Sequence, residues 1–442
     1  MLIRQIRLQD VKGITELDFR LSRSPEASLA GWNVVTGDNA SGKTTLLKAI
    51  AMALVGPDLA RILQPSLKGW VRDGESECTI AIEVQPGSRD VFVQGRPYVR
   101  PFWAELKCTV GAGGDVHLAA SRELNKKGKG PAHGPWAESP NGWFSAGYGP
   151  FRRLYGASSE AQRIMSGPSR IARYATMFRE DATLGECELW LVDLRHKELE
   201  AKPREAKILQ QVLKLLNDDF LKEGMTVERV DSEGLWIKDA RGVVLPLKEM
   251  SEGYRASLAL LVDLVRHMEH TFGPDELVVE RDGKSVVTHQ GVILIDEIDS
   301  HLHPEWQRRI GFWLKEHFPE CQFFVTTHSP IICQAADNGG VFHLPAITSD
   351  RPPFQLSDEE YRKVIKSGSD DILCSEAFEL PYVRSDRAIK ARRSFSQLRS
   401  KEASVGLSPE ENLHLRQLSL FVDDDPFSEG VTYAANKEAA AE

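Results

Sequence analysis

The residues best suited to chemistry on a phosphate are Gly37-Asp38-Asn39-Ala40-Ser41-Gly42-Lys43-Thr44. They fit G-x-x-x-x-G-K-[ST], in which glycines let main-chain N–H groups turn inward around a polyphosphate. A helix leaving the loop adds the positive end of its dipole. Lys43 then reaches the β- and γ-phosphates of a nucleotide, and Thr44 holds Mg²⁺. With Thr45, these residues form the expected nucleotide-binding set. A second group stands where the apolar run Gly291-Val292-Ile293-Leu294-Ile295 ends in Asp296-Glu297. Asp296 is expected to hold Mg²⁺, directly or through water, and Glu297 to orient and deprotonate an attacking water. His328, in Thr326-Thr327-His328-Ser329-Pro330, can contact a γ-phosphate. Ser251-Glu252-Gly253 opens a helix, and its hydroxyl and N–H groups suit an anion.

These side chains need elements to position them. Residues 32–36 read as a buried strand entering the loop, and residues 45–54 as a helix leaving it. Gly56-Pro57 stops that helix. Residues 1–20 read as two strands with a turn at Lys12-Gly13. From Cys78 to about Leu124, short runs at 79–84, 90–93, 104–110 and 115–118 predict an antiparallel sheet. The run Lys126-Lys127-Gly128-Lys129-Gly130-Pro131 reads as a solvated loop. Two helices follow, at 184–200 and 203–221, the second with Ile208, Leu209, Val212, Leu213, Leu216 and Phe220 on one stripe. Neither extends into long heptads, so no coiled coil is expected. A hairpin is expected at 225–238, and a helix opens after Met250. Strands at 291–299 and 323–328, with a helix from Pro304 between them, predict a mainly parallel sheet.

The expected organisation is 1–150 as an ATPase lobe with the loop and β region, 151–250 as an inserted helical lobe with a hairpin, 251–345 as the remaining core, and 346–442 as an extension. That extension holds a basic helix at 385–401, with Arg384, Arg387, Lys390, Arg392 and Arg393, then a tail expected to be disordered. The helix reads equally as a docking face for a nuclease or DNA and as a solvated face. The 442 residues carry a formal net charge of -9, which argues against coating nucleic acid with the whole surface. Six scattered cysteines without C-x-x-C spacing read as reduced thiols. No apolar run reaches the roughly 20 residues that span a bilayer, and no signal peptide opens the chain. A cytoplasmic protein without membrane contact is expected.

Taken together, Gly37–Thr45, Met250–Arg255, Ile295–Asp299 and Thr326–Pro330 resemble the motifs of an ABC-type ATPase head. Within that class the chain resembles the RecF/SMC-like group, and in particular PtuA-like ATPases of Septu-type and retron anti-phage defence systems. The resemblance covers roughly residues 1–345. Its most diagnostic strings are Gly147-Tyr148-Gly149-Pro150-Phe151-Arg152-Arg153 and Ile295-Asp296-Glu297-Ile298-Asp299-Ser300-His301-Leu302-His303-Pro304. It implies an α/β fold: a P-loop parallel-sheet core, an antiparallel β subdomain and an inserted helical lobe without coiled coil. It implies ATP and Mg²⁺ as cofactors, catalysis by Glu297, His328 and Lys43, and Thr44 and Asp296 at the metal. Ser251 and Gly253 become the signature motif, acting in trans across an ATP sandwich dimer, with Asp299 at the same interface and His328 as the switch histidine. Two departures stand out. The Gly147–Arg153 string occupies the place of a Q-loop glutamine, and Met250 and Glu252 replace the usual signature residues.

The partners implied are a second copy of the chain or a higher homo-oligomer, an HNH-type nuclease subunit, and DNA or retron nucleic acid. The favoured function is an ATPase that regulates an associated nuclease, with no nuclease site of its own. The alternatives are a RecF-like repair ATPase, with Arg152, Arg153 and later arginines facing DNA, and an OLD-like ATPase-nuclease using Leu420–Asp425. His301-x-His303 lacks the further ligands of a metal site and reads as structural.

Overall fold

Alternating apolar residues at the start of the chain form a hairpin, β1 (Leu2–Val11) and β2 (Ile14–Arg20), paired antiparallel across Lys12-Gly13. The computed structural model describes residues 1–21, 28–92, 100–121, 130–165, 169–221, 224–275, 277–349 and 351–419. β3 (Gly31–Gly37) enters the phosphate loop, α1 (Lys43–Val55) leaves it, and α2 (Pro57–Leu63) follows Gly56. β4 (Glu77–Gln85), β5 (Phe102–Val110) and β6 (Val116–Ala120) extend the hairpin into an antiparallel sheet of order β2-β1-β4-β5-β6. The run expected at 90–93 reduces to a single bridge, Val91 with Asn141, while residues 93, 126–129 and 420–442 lie outside the described residues.

β7 (Ser145–Tyr148) returns to the core. Helices α3 (Ser159–Met165), α4 (Ser169–Ala172), α5 (Ala175–Phe178), α6 (Gly185–Leu199) and α7 (Pro203–Leu216) follow. On α7 the buried stripe is Ile208, Leu209, Val212, Leu215 and Leu216, because spacings of three and four return to one face. Leu213, five residues after Ile208, is only half-buried, so Leu215 takes the place expected for it. β8 (Thr226–Asp231), β9 (Gly234–Lys238) and β10 (Val244–Pro246) form a three-stranded antiparallel sheet. The long α8 (Glu252–Phe272) and the hairpin β11 (Val279–Arg281) and β12 (Lys284–Val286) lead into β13 (Gly291–Ile295). Then come α9 (Pro304–His317), β14 (Cys321–Thr326), α10 (Pro330–Cys333) and β15 (Val341–Leu344).

The second sheet has the order β16-β15-β3-β14-β13-β7, with β16 (Phe354–Gln355) as its antiparallel edge and every other pairing parallel. β13, β14 and β15 are buried along their whole length, which explains their unbroken apolar runs. α1 buries residues all round, and one apolar core joins it to both sheets. The carboxyl ends of β3, β7, β13 and β14 therefore converge on the loop, the usual place for a ligand in an open α/β sheet.

The chain divides into two units, Met1–Lys366 and Ser367–Glu442. The boundary expected at 345/346 thus falls inside the first unit. β16 pairs with β15, and α11 (Asp358–Lys366) follows it. The second unit holds α12 (Ser369–Leu373), α13 (Asp386–Ser404) and α14 (Pro409–Ser419). Ser385 caps the basic helix α13 by accepting from the Ala388 N–H, and α13 buries none of its side chains. All six cysteines are free; five are buried and Cys374 is exposed. Among the described residues no helix is long and apolar enough to cross a membrane.

Candidate functional site

The phosphate loop is wound by left-handed residues: Gly37 at φ 142°, Ala40 at 65° and Gly42 at 100°. A Cβ on Gly37 would stand 2.3 Å from the Leu344 carbonyl oxygen, so the close approach of β15 demands glycine there. Lys43 is buried and turned back over the loop, its Nζ donating to the carbonyls of Gly37 and Asp38, both at 2.8 Å. Burial lowers its pKa, opposed by the carboxylates of Asp296, Glu297, Asp38 and Asp299.

Asp296 stands one residue beyond β13 and is 1% exposed. Its Oδ2 accepts from Thr44 Oγ1 at 2.7 Å and its Oδ1 from Thr326 Oγ1 at 2.5 Å. The two residues expected at the metal are thus in direct contact. Three features fit a Mg²⁺–nucleotide. Thr44 and Asp296 offer paired oxygen donors. The Lys43 ammonium sits within the loop. Ser41 Oγ, inside the same loop, is buried with no hydrogen-bond partner among the described residues.

Glu297 has a left-handed backbone, φ 46°. Its N–H donates to Thr326 Oγ1 at 2.7 Å, and its Oε2 accepts from Ser300 Oγ at 3.1 Å. Asp299 Oδ1 accepts from Thr327 Oγ1 at 2.5 Å, and Thr327 Oγ1 in turn accepts from the Ser329 N–H at 2.9 Å. His328 lies between them at the end of β14, with its side chain exposed. Ser251 is the exposed N-cap of α8, without a side-chain cap bond. Gly253 lies beneath the next loop, where a Cβ would stand 2.3 Å from the His301 carbonyl oxygen. Hydrogen bonds thus join Thr44 to Asp296 and Asp299 to Thr327, and packing joins Gly253 to the 301–302 loop. His301 Nδ1 is 3.6 Å from Glu252, and His303 Nδ1 accepts from the Glu305 N–H at 3.4 Å as the cap of α9.

Sequence reasoning gave one residue of this site no role in the favoured reading. Only the repair-ATPase alternative placed Arg152, on a DNA-facing surface, but it is buried and donates to the main chain at Gly149 (2.9 Å), Asp296 (2.7 Å) and Glu297 (2.9 Å). Burial pulls its pKa down to about 10, opposed by Asp296, Asp299 and Glu297, so it remains a cation at neutral pH. Arg173 is buried too, donating to Thr271 Oγ1 at 2.6 Å. Both guanidiniums satisfy interior acceptors, which removes them from any nucleic-acid face. Hydropathy points the wrong way along this segment: Phe151 is 39% exposed, while its neighbour Arg152 is 7% exposed. The available signal was the string itself, a glycine-rich strand end facing the carboxylates. Upstream, Tyr148 Oη donates to Asp263 Oδ2 of α8 at 3.2 Å.

Comparison with known proteins gives the following. The family described as "AAA domain, putative AbiEii toxin, Type IV TA system" matches residues 32–334. The chain is 24% identical over 342 residues to the Septu protein PtuA of Bacillus mycoides (strain KBAB4), covering 77% of this chain and 40% of that protein. It is 39% identical over 108 residues to the "Retron Ec83 probable ATPase" of Escherichia coli, covering 24% of this chain and 18% of that one. It is 25% identical over 195 residues to the "Retron Vc95 probable ATPase" of Vibrio cholerae serotype O1 biovar El Tor, covering 44% and 35%. The chain therefore spans less than half the length of these relatives. A solved SMC head bound to the C-winged helix domain of ScpA is 16% identical, with a TM-score of 0.46, covering 82% of this chain and 100% of that chain.

Proposed function

The chain belongs to the AAA-domain family that matches residues 32–334, and on that premise we propose that it is an ATPase of an anti-phage defence system, closing as a dimer around ATP to regulate an associated nuclease. The observation that carries this reading is the Thr44–Asp296 contact, which brings the phosphate loop and the strand-end carboxylates into one site with Glu297 beside them. Thr44 and Asp296 would hold Mg²⁺, which neutralises phosphate charge when bound. Lys43 exchanges the carbonyls of Gly37 and Asp38 for β- and γ-phosphate oxygens. Glu297 takes the proton of the attacking water, and His328 meets the γ-phosphate. Ser251, Gly253 and Asp299 act across the interface with the second copy. The names of the Septu and retron relatives support the defence setting. An HNH-type nuclease is the protein partner proposed, with DNA or retron nucleic acid as a further ligand and the cytoplasm as the compartment. The burial of Arg152 and Arg173 weakens the alternative of a repair ATPase with an arginine-lined DNA face.

The test is to purify the chain with the products of its neighbouring genes and assay Mg²⁺-dependent ATP hydrolysis. Glu297→Gln is expected to slow turnover by about 100-fold or more while still binding ATP, and Lys43→Ala to weaken binding itself. A wild-type complex that binds no nucleotide, or a Glu297→Gln variant with unchanged turnover, would overturn the assignment.

A further inference from the structure

We propose that Arg152 is a positioning residue for hydrolysis: its guanidinium fixes the main chain through Asp296 and Glu297, and so sets where the Glu297 carboxylate stands. This rests on the ATPase reading and on Glu297 as the base.

The Asp296 N–H still pairs with the Tyr148 carbonyl at 2.8 Å, and there the pairing of β13 with β7 ends. The carbonyls of Asp296 and Glu297 both point to Arg152 instead. Buried main-chain carbonyls need partners, and one guanidinium serves both. Glu297 then turns into the left-handed region at φ 46°, a conformation that persists in a non-glycine residue when its surroundings over-determine it. Its surroundings do: Thr326 Oγ1 holds its N–H and Arg152 holds its C=O.

The anchor of Arg152 is itself rigid. A Cβ on Gly149 would stand 2.1 Å from the Thr176 carbonyl oxygen, and one on Gly147 would stand 2.6 Å from Tyr174. Arg152 also bonds the Gly149 carbonyl, and Tyr148 is tied to Asp263. The segment 147–152 thus forms a strut from α8 to the catalytic carboxylate. A fork of planar donors is needed to reach three separate carbonyls, and a lysine ammonium lacks that geometry.

The experiment compares wild type with Arg152→Ala and Arg152→Lys in the full chain with its partner, measuring kcat, KM for ATP, ATP affinity and melting temperature, with and without millimolar guanidinium. In Arg152→Ala, kcat is expected to fall by about 100-fold, the cost of misplacing a reacting group by about 1 Å. KM and ATP affinity should stay within about threefold of wild type, since the Arg152 hydrogen bonds go to Gly149, Asp296 and Glu297 and not to the phosphate loop. Guanidinium should restore part of the lost kcat in Arg152→Ala, and methylammonium should not. If Arg152→Ala does not fold, Arg152→Lys carries the test: folded, ATP-binding and slow. Unchanged kcat in either folded variant overturns the inference, as does a parallel loss of kcat and affinity without guanidinium recovery. A wild type that hydrolyses no ATP overturns the ATPase reading instead, and this inference with it.

Discussion

Lys43 and Arg152 are both buried cations within reach of the same carboxylates, yet they do different work. Lys43 covers loop carbonyls that a polyphosphate can replace, whereas Arg152 covers the carbonyls of the Asp296-Glu297 turn. The first was legible because its spacing to Gly37 and Gly42 is a chemical pattern. The second was not, because sequence alone does not show that an arginine has interior acceptors. Buried charge of another kind should appear in acid. His289 is fully buried, accepts at Nε2 from Arg89, and has its pKa pulled down to about 4 from 6.5 by burial and then by Arg89. The unfolded chain takes up this proton below pH 6.5, the folded chain only near pH 4. The stability present above pH 6.5 is therefore lost as pH falls through that window, by at most about 3 kcal/mol from this residue. Melting temperatures between pH 7 and 4 should fall less steeply in His289→Gln than in wild type, and parallel profiles would contradict it.

At the scale of elements, α8 shows how a polar side chain can belong inside. Asp263 is 2% exposed and accepts from Arg266 at 2.7 and 3.2 Å and from Tyr148 at 3.2 Å, with His267 Nε2 at 3.4 Å. Burial pushes its carboxyl up, but His267 and Arg266 outweigh that and the net shift is down. Asp263→Ala would leave Arg266 buried without its counter-charge. We expect a loss of about 3 kcal/mol or more, read as a lower denaturant midpoint at unchanged slope. A loss below about 1 kcal/mol would mean that Arg266 finds another partner. The start of α8 after Met250 was readable in the sequence, and Leu258, Leu260, Leu261, Leu264 and Val265 supply its apolar side. Asp263, Arg266 and His267 are nevertheless buried on the same helix, where the Asp263 carboxylate pairs with both of its neighbours.

For the whole molecule, the expected architecture of parallel core and antiparallel sheet is present, read from alternation in β1 and β2 and from unbroken apolar runs in β13 and β14. What escaped was the end of the core. β16 spans two residues, Phe354–Gln355, too short to show alternation, and the first unit runs on past it to Lys366. At this scale the proposed function requires a second copy. In a Glu297→Gln background, ATP is expected to produce a dimer by sedimentation. Ser251→Arg should keep that protein monomeric while it still binds ATP, because an exposed helix start leaves room for the side chain in the isolated chain but not in a closed pair. ATP-dependent dimerisation of the double variant would remove Ser251 from the interface.

α1 is enclosed by both sheets, and this has a practical bearing on any spectroscopic study of opening and closing. A helix gripped on all sides cannot shift without dismantling the interior, so it serves as a fiducial mark. A spin or dye label at exposed Asp58 on the adjoining α2 would give a fixed origin. Distances from it to a label on Glu252 at the start of α8 would then report any ATP-dependent displacement of that helix start relative to the core.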